Sequence, residues 1–262
     1  MKVTFDDKEL TAEPGQTILE VARANGIFIP TLCDSSGLEP AAMCRLCTVE
    51  LREGKRSRFV TACNFPLRQE ALVLINSEPV RQGRKLIIEL LMSRCPDSQE
   101  LQRLAAEYGA NVNRFSALND DCVVCGLCAR VCDRVGGKTL TLSGRGVQIK
   151  VDTAFKHISP YCIGCGACAQ ICPVKRIKIE DEGGIRKVII HGKEASRVNL
   201  PLCQSCGKHF GPLIDLHRIM TQLGELKVPP PNVNICPDCS RRSLAKRLAE
   251  RFFEQYEMAE EG

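Results

Sequence analysis

Large aromatic side chains are scarce in this sequence, which has no tryptophan, three tyrosines and nine phenylalanines among 262 residues. Aromatic side chains are the bulkiest fillers of a protein core. A chain of this length has room for two or three small domains. Because so few bulky side chains are available, we expect something besides apolar burial to hold these domains together.

Long apolar segments are also missing. The longest apolar run, LIIELLM at residues 86–92, is short and contains Glu89, which excludes a transmembrane helix. The first residues, MKVTF, have the pattern of a strand and not of an apolar signal segment. We therefore expect a soluble cytoplasmic protein, in which a framework of disulfide bonds is disfavoured.

The excess of positive charge is small, with a formal net charge of +5. Part of it lies on a C-terminal segment of helical pattern in which acidic residues follow the basic ones. This mixture predicts a solvated helix face in preference to a nucleic-acid-binding surface. The basic residues concerned are Arg241, Arg242, Lys246 and Arg247.

Cysteine, in contrast, is abundant, with 17 residues. All but Cys95 fall into groups of four with the spacing of metal ligands. The four groups are Cys33, Cys44, Cys47 and Cys63; Cys122, Cys125, Cys128 and Cys132; Cys162, Cys165, Cys168 and Cys172; and Cys203, Cys206, Cys236 and Cys239.

Two of these groups are near copies. DCVVCGLCARVCD at residues 121–133, the first comb, and YCIGCGACAQICP at 161–173, the second comb, share the spacing C-x2-C-x2-C-x3-C. In two-cluster ferredoxins the fourth cysteine of such a run ligates the other cluster. We therefore expect one [4Fe-4S] cube on Cys122, Cys125, Cys128 and Cys172, and a second on Cys162, Cys165, Cys168 and Cys132.

The residues between the cysteines agree with this prediction. Gly126, Gly164 and Gly166 suit a backbone that wraps closely around a cluster. Between the combs, residues 138–152 alternate apolar and polar side chains around a Gly-Arg-Gly turn. This alternation predicts a hairpin inserted into a ferredoxin-like core.

The N-terminal segment predicts a further iron-sulfur domain. Two short strands about Asp6 and Asp7 precede a helical segment that Thr17 caps and Gly26 closes. The first cysteine group then follows with the spacing C-x10-C-x2-C-x15-C. Strand pair, helix and cysteine loop together look like the β-grasp fold of a [2Fe-2S] ferredoxin, with Cys33, Cys44, Cys47 and Cys63 as its ligands.

These motifs resemble one family of iron-sulfur subunits. The long first gap differs from the C-x4-C-x2-C of plant-type ferredoxins. A segment with this longer gap resembles the [2Fe-2S] domain at the start of the large iron-sulfur subunit of respiratory complex I. The same domain begins iron-only hydrogenases, the small diaphorase subunit of NAD-reducing hydrogenases, and iron-sulfur subunits of NAD-dependent formate dehydrogenases. The resemblance extends over about residues 1–182.

One cluster of that family is expected to be absent here. The family carries a cluster ligated by histidine and cysteine after its first domain, but no histidine lies between residues 64 and 121, and Cys95 is the single thiol there. We expect Cys95 to pack as a small apolar residue or a free thiol. Ser77 and Ser98 are expected to cap two spacer helices separated by Pro96.

The C-terminal segment contains two C-x2-C knuckles 29 residues apart, with a helical pattern at 213–224 and a PPP linker between them. Cys203, Cys206, Cys236 and Cys239 favour a structural zinc site. A third [4Fe-4S] cluster and a thiol redox pair are the alternatives. His209 and His217 are not needed as ligands. Leu244, Leu248, Phe252 and Tyr256 predict an apolar helix face, expected to pack in the domain's own core rather than in a partner's groove.

The predicted fold is therefore α+β with four parts. These are a [2Fe-2S] β-grasp domain at 1–77, a helical spacer at 78–114, a two-[4Fe-4S] ferredoxin domain at 115–182, and a zinc-ribbon-like domain with a C-terminal helix at 183–262.

The predicted function is electron transfer, because the sequence contains cluster ligands but no substrate or nucleotide motif; the resemblance implies that it takes place within a multi-subunit oxidoreductase. The resemblance implies two partners: a flavin- and NAD(H)-binding subunit, and a second redox subunit such as a hydrogenase, a formate dehydrogenase or another reductase. A free-standing polyferredoxin shuttle and a redox-sensing nucleic-acid-binding protein are the alternatives.

Overall fold

The computed structural model describes residues 1–118, 120–153, 156–211 and 234–260. Helices and strands are mixed, which confirms the α+β class. In the described ranges no helix is both long and apolar enough to cross a bilayer. The chain divides into two compact units: the first contains Met1–His157, Ala167–Lys178 and Ile190–Lys193, and the second contains Ile158–Gly166, Ile179–Ile189 and Glu194–Gly262.

A five-stranded sheet begins the first unit. Its strands are β1 (Lys2–Phe5), β2 (Lys8–Thr11), β3 (Thr48–Glu53), β4 (Arg56–Thr61) and β5 (Ala71–Leu74). Their order is β2-β1-β5-β3-β4, in which β1 and β5 are parallel and the other pairs are antiparallel. Alternation places Val3 and Phe5 of β1 on the buried face.

Helix α1 (Ile18–Ala24) packs its apolar residues into the core of this sheet. Thr17 and Glu20 form the reciprocal hydrogen bonds of a capping box, which satisfies backbone N–H groups at the helix start. Gly26 follows the helix with a positive φ of 69°. The predicted strand pair, helix and cap are confirmed.

Two helices follow, α2 (Glu78–Arg94) and α3 (Gln99–Tyr108). Ser98 caps α3 as predicted by accepting a hydrogen bond from the Leu101 backbone N–H at 3.4 Å. The prediction for Ser77 is wrong in its chemistry. Ser77 occupies the position before α2, but its side chain makes no capping hydrogen bond; it is directed at the buried Glu50 carboxylate, to which the hydroxyl donates at 2.7 Å.

Helix α2 also buries two charged side chains that the pattern of apolar residues did not indicate. Arg84 is 1% exposed and donates to the backbone oxygens of Leu46 and Thr48 at 3.0 and 2.9 Å. Glu89 is equally buried and accepts from Arg114. Arg84 thereby ties α2 to the backbone on either side of Cys47.

The comb region contains α4 (Leu127–Arg134), β6 (Leu140–Ser143), β7 (Lys150–Thr153) and α5 (Ala167–Ile171). Strands β6 and β7 pair antiparallel, so the predicted hairpin is present. Gly144 turns the chain with a φ of 93°, where a Cβ atom would lie 2.5 Å from the Gln148 oxygen.

The remaining elements are β8 (Ile177–Glu182), β9 (Ile185–Ile190), β10 (Lys193–Asn199) and α6 (Pro237–Glu260). The three strands form a sheet with β9 in the middle. The expectation that the apolar stripe of α6 packs in a core is wrong, because Leu244, Leu248 and Phe252 are 49%, 57% and 65% exposed. The helical pattern at 213–224, His217, the PPP linker and the Tyr256 side chain lie outside the described residues.

Candidate iron-sulfur and metal centres

The four N-terminal cysteines are all buried. Cys33 and Cys44 come from the long loop after α1, Cys47 precedes β3 and Cys63 follows β4. The Cys44 backbone N–H donates to the Cys33 sulfur at 3.3 Å, and the Leu32 N–H donates to the Cys44 sulfur at 3.4 Å. Cys47 and Cys63 belong to the core of the sheet, and Cys33 and Cys44 to the neighbouring cluster that includes α2. Folding brings these cysteines, up to 30 residues apart in sequence, close enough for the charge of Cys33 to act on both Cys47 and Cys63.

The electrostatics of these thiols divide them into two pairs. A hydrogen bond from the Cys44 thiol lowers the pKa of Cys33 to about 6, and the same contact raises the pKa of Cys44. In the second pair, the contact with Cys47 lowers the pKa of Cys63, while that of Cys47 is raised. Each pair thus contains one thiol disposed to be a thiolate, the form that binds metal.

The backbone of this loop is strained. Ala42 and Arg45 have positive φ values of 51° and 62°, although both carry a Cβ atom. Such conformations cost about 1–3 kcal/mol each and cluster at functional sites. Arg84 supports the loop from α2 through its hydrogen bonds to Leu46 and Thr48.

The first comb and the last cysteine of the second comb line one cavity. Cys122, Cys125, Cys128 and Cys172 all contribute to its wall, as the predicted ligand set requires. Apolar side chains, among them Val123, complete most of the lining. Packing of α5 against α4 places Cys172 there, 44 residues after Cys128 in sequence.

This cavity has the chemical character of a cluster site. Burial raises the pKa of Cys122, Cys125 and Cys128, to about 12 for Cys125. Buried thiolates require a cation, so these thiols would release protons when they bind metal. Gly126 has a φ of 71°, and a Cβ atom there would lie 2.7 Å from the Met43 sulfur. Gly126 contributes to the cavity wall, and the donor set fits an iron-sulfur cofactor.

The cysteines predicted for the second cube are divided between the two units. Cys132 and Cys168 belong to the first unit, whereas Cys162 and Cys165 belong to the second. The two combs repeat one hydrogen-bonding pattern, since the N–H of Val124 donates to Cys122 at 3.3 Å and that of Gly164 donates to Cys162 at 3.4 Å.

The fourth cysteine of each comb also accepts a backbone hydrogen bond. Cys132 accepts from Thr139 at 3.3 Å, and Cys172 accepts from Arg176 at 3.5 Å. Hydrogen bonds to sulfur are one of the features that set cluster potentials.

The N-terminal cysteine loop contacts the first comb within the first unit. Arg130, on α4 between Cys128 and Cys132, donates to the backbone oxygens of Cys33 and Glu39. Met43 packs against Gly126. The sequence analysis missed Arg130; its only signal was a basic residue between two ligands on a short helix.

The C-terminal cysteines converge on a single point. The sulfurs of Cys203, Cys206, Cys236 and Cys239 all lie within 4.8 Å of one another, and those of Cys206 and Cys236 are 3.8 Å apart. Four thiolates around one tetrahedral ion with bonds of about 2.3 Å stand roughly 3.8 Å apart. The ligands of a cube bind four separate irons and are spaced more widely.

Local hydrogen bonds prepare this site for a cation. The Cys236 backbone N–H donates to the Cys203 sulfur at 3.2 Å, which lowers the pKa of Cys203 to about 6. His209 points elsewhere, with its Nδ1 3.2 Å from the Leu200 backbone oxygen and its ring against Gly184. The four thiols are thus sufficient without a histidine.

Cys95 is fully buried in an apolar cluster between α2 and α3 that includes Leu91 and Leu101. Burial raises the pKa of its thiol, and Arg176 beside it opposes this effect. These surroundings agree with the expected role of Cys95 as a small packed residue.

Comparison with known proteins supports the same chemistry. Residues 1–77 match the family model of the 2Fe-2S iron-sulfur cluster binding domain. The predicted resemblance is confirmed. The chain is 31% identical over 164 residues to a subunit of the NADH-quinone oxidoreductase of Rhizobium meliloti, an alignment that covers 52% of this chain and 19% of the relative.

Two further relatives have related names. The chain is 32% identical to the alpha subunit of the NADPH-Fe(3+) oxidoreductase of Geobacter sulfurreducens, over 58% of this chain and 21% of the relative. It is 28% identical to the gamma subunit of the NAD-reducing hydrogenase HoxS of Cupriavidus necator, over 58% and 75% respectively. The match therefore spans about a fifth of the length of the first two relatives and three quarters of the third.

A solved structure is similar as well. A chain of an NAD+-reducing [NiFe]-hydrogenase, determined in the H2-reduced state, superposes with a TM-score of 0.52 at 27% identity. The superposition covers 58% of this chain and 74% of that chain.

Proposed function

We propose that this chain is the iron-sulfur electron-transfer subunit of a multi-subunit oxidoreductase. It passes electrons between a flavin- and NAD(H)-binding subunit and a second redox subunit, which is a hydrogenase, a formate dehydrogenase or another reductase. One observation carries the proposal: Cys172 of the second comb lines the same cavity as Cys122, Cys125 and Cys128 of the first. The names of the relatives, all subunits of NAD(P)-linked oxidoreductases, support it.

The proposed ligand sets follow the cysteine groups. Cys33 and Cys44 hold one iron of a [2Fe-2S] cluster and Cys47 and Cys63 the other, because the thiols interact in these pairs. The first cube is assigned to Cys122, Cys125, Cys128 and Cys172, which line one cavity. The second is assigned to Cys162, Cys165, Cys168 and Cys132.

The C-terminal site is proposed to hold zinc. The close spacing of the four sulfurs favours one tetrahedral ion over a third cube. A structural zinc ion contributes directly to folding free energy, which suits a segment whose buried core includes three of its own cysteines, Cys203, Cys236 and Cys239.

We also propose that the chain has the four parts predicted from its sequence. The [2Fe-2S] family match ends at residue 77, α2 and α3 lie within 78–114, and both combs lie within 115–182. Residues 183–262 contain the four C-terminal cysteines.

Iron-sulfur clusters accept and release single electrons without proton or group transfer. The residues of this chain hold and shield such centres. Val123 and Leu127 are 5% and 3% exposed and exclude water from the first comb. Arg130 fixes the loop of Cys33 against α4, which keeps two ligand sets at a constant separation within the first unit.

Metal content tests the cofactor assignment. We expect the anaerobically purified protein to contain about ten irons per chain, two from the binuclear centre and four from each cube, and about one zinc. Four additional irons without zinc would contradict the zinc assignment and support a third cube on the four C-terminal cysteines.

Electron transfer is tested on the native complex, purified through an affinity tag on this chain. NADH should reduce the clusters of the complex, as observed by EPR of frozen samples. The control is the isolated chain, which dithionite should reduce and NADH should not. Recovery of the chain without any partner, or NADH reduction of the isolated chain, would argue against a subunit role.

A further inference from the structure

The wall of the first-comb cavity contains three charged or polar side chains that the proposed ligand set does not use: Asp121, which is half exposed, and two side chains with nitrogen donors. Arg176 and His191 both line this cavity beside the four cysteines. Arg176 lies directly before β8, and His191 lies directly after β9. The other lining residues are mainly apolar.

Both side chains contain buried nitrogen atoms without a hydrogen-bond partner in the part of the chain that the structure describes. These atoms are Nε and Nη2 of Arg176 and both ring nitrogens of His191. A buried donor left unsatisfied costs about 1–3 kcal/mol, so native proteins rarely retain one without a reason. Two such residues facing one cavity indicate an acceptor within it.

The nearby acids do not satisfy Arg176. Its Nη2 atom lies 3.6 Å from an oxygen of Asp121 and 3.8 Å from one of Asp97, too far for hydrogen bonds. Asp97 is 82% exposed, so water screens its charge. The remaining neighbour is the Cys95 thiol, a weak acceptor.

The backbone of Arg176 is anchored at a proposed ligand. Its N–H donates to the sulfur of Cys172 at 3.5 Å. The guanidinium is therefore held close to the place where the sulfur atoms of a cube would lie. Guanidinium is always charged in proteins and presents five N–H donors, whereas sulfide and thiolate sulfurs are acceptors.

One-electron reduction adds one negative charge to a cube. An apolar wall disfavours that charge, and a fixed positive charge with N–H donors favours it. We propose that Arg176, with His191 as a second donor, stabilises the reduced form of the first cube and raises its reduction potential. This inference rests on the proposed function, since it requires a cube on Cys122, Cys125, Cys128 and Cys172.

The test measures the potential of the first cube in the full-length, anaerobically reconstituted protein by EPR-monitored titration with dithionite. The signal of this cube is identified as the one lost in Cys125→Ser. In Arg176→Leu we expect at least a tenfold loss in the equilibrium constant for reduction, which for a one-electron couple is a shift of about 59 mV to more negative potential.

Two variants separate the effect of charge from that of structure. Arg176→Lys keeps the positive charge and should recover part of the shift. Lys175→Leu removes a neighbouring positive charge whose ammonium group is exposed and bonded to the Gln170 backbone oxygen. It should leave the potential unchanged, because water screens that charge.

An unchanged potential in Arg176→Leu with its full iron content would overturn the inference and leave the proposed function intact. If Arg176→Leu loses the cube, Arg176→Gln is titrated in its place, because it retains an N–H donor without the charge. A native-like potential in Arg176→Gln would then overturn the role of the charge. Absence of this cube from the native protein would instead overturn the proposed function itself.

Discussion

Three arginines, of which Arg84 is buried and the other two are half-buried, set the geometry around the proposed metal sites. Arg84 binds two backbone oxygens next to Cys47, and Arg130 binds the backbone oxygen of Cys33. Arg94 donates to the backbone oxygen of Cys122 at 3.0 Å. Loops that carry ligands have few regular backbone hydrogen bonds, so the guanidinium groups satisfy their free carbonyl oxygens.

A change of Cys172 distinguishes two ligation schemes. In crossed ligation the fourth cysteine of each comb binds the cube of the other comb, and in local ligation it binds the cube of its own comb. We expect Cys172→Ala to alter or remove the cube held by Cys122, Cys125 and Cys128, because its thiol lines their cavity. EPR and iron analysis of the variant should show this loss while the second cube keeps its signal. The matched control is Cys95→Ser, which should keep all its iron; loss of the second cube alone in Cys172→Ala would refute crossed ligation.

Helix α2 is the element that connects the N-terminal sheet to the comb region. It contacts β3 and α3, and it buries Arg84 and Glu89 among apolar residues such as Ile88. Both charges lie in the middle of the buried face and are hydrogen-bonded to residues outside the helix, which fixes α2 in rotation as well as in position. The proposed spacer is therefore a rigid support for the [2Fe-2S] loop.

We expect Arg84→Met to lower the free energy of unfolding of the N-terminal region by about 2–4 kcal/mol, because two buried backbone oxygens lose their donors. Denaturant unfolding followed by loss of the [2Fe-2S] absorption would measure it. Arg81→Met removes from the same helix an exposed arginine, which stacks on the Tyr108 ring, and should change stability by less than about 1 kcal/mol. If both changes lowered the free energy of unfolding equally, the buried hydrogen bonds of Arg84 would not be a main source of this stability.

At the scale of the whole molecule, the two units have different sources of stability. The first unit contains two large apolar clusters. The C-terminal part of the second unit, here called the tail, contains a small cluster of Cys203, Cys236 and Cys239 among its described residues, with Phe210 packed against it. Phe210 therefore contributes to packing, which weakens the hypothesis that aromatic and basic residues there bind nucleic acid.

The tail should consequently depend on its metal ion. We expect the double change Cys236→Ser and Cys239→Ser to release zinc, to make the tail sensitive to protease, and to weaken association with the partner subunits. Residues 1–182 should stay folded and keep their clusters. Metal analysis, limited proteolysis and size exclusion of the native complex test this together. Retention of zinc, or an intact complex that instead loses salt-sensitive nucleic-acid binding, would contradict it.

Local sequence was sufficient for the elements whose signals are short in range. The caps at Thr17 and Ser98 and the hairpin about Gly144 all formed as predicted, because caps and turns depend on a few consecutive residues. The cysteine spacings likewise predicted the metal-binding groups, since a loop must present its ligands at fixed intervals. The family resemblance followed from these spacings and is confirmed by the relatives.

Only the tertiary structure decided which distant groups meet. Ser77 has the sequence of a cap, yet it bonds to Glu50 because folding brings that carboxylate within 2.7 Å. The stripe of α6 has the period of a core helix, yet it is exposed, because period indicates an apolar face and not what covers it. Arg176 and His191 carry no local signal at all. Their position beside the first comb results from long-range packing, which no spacing along the chain determines.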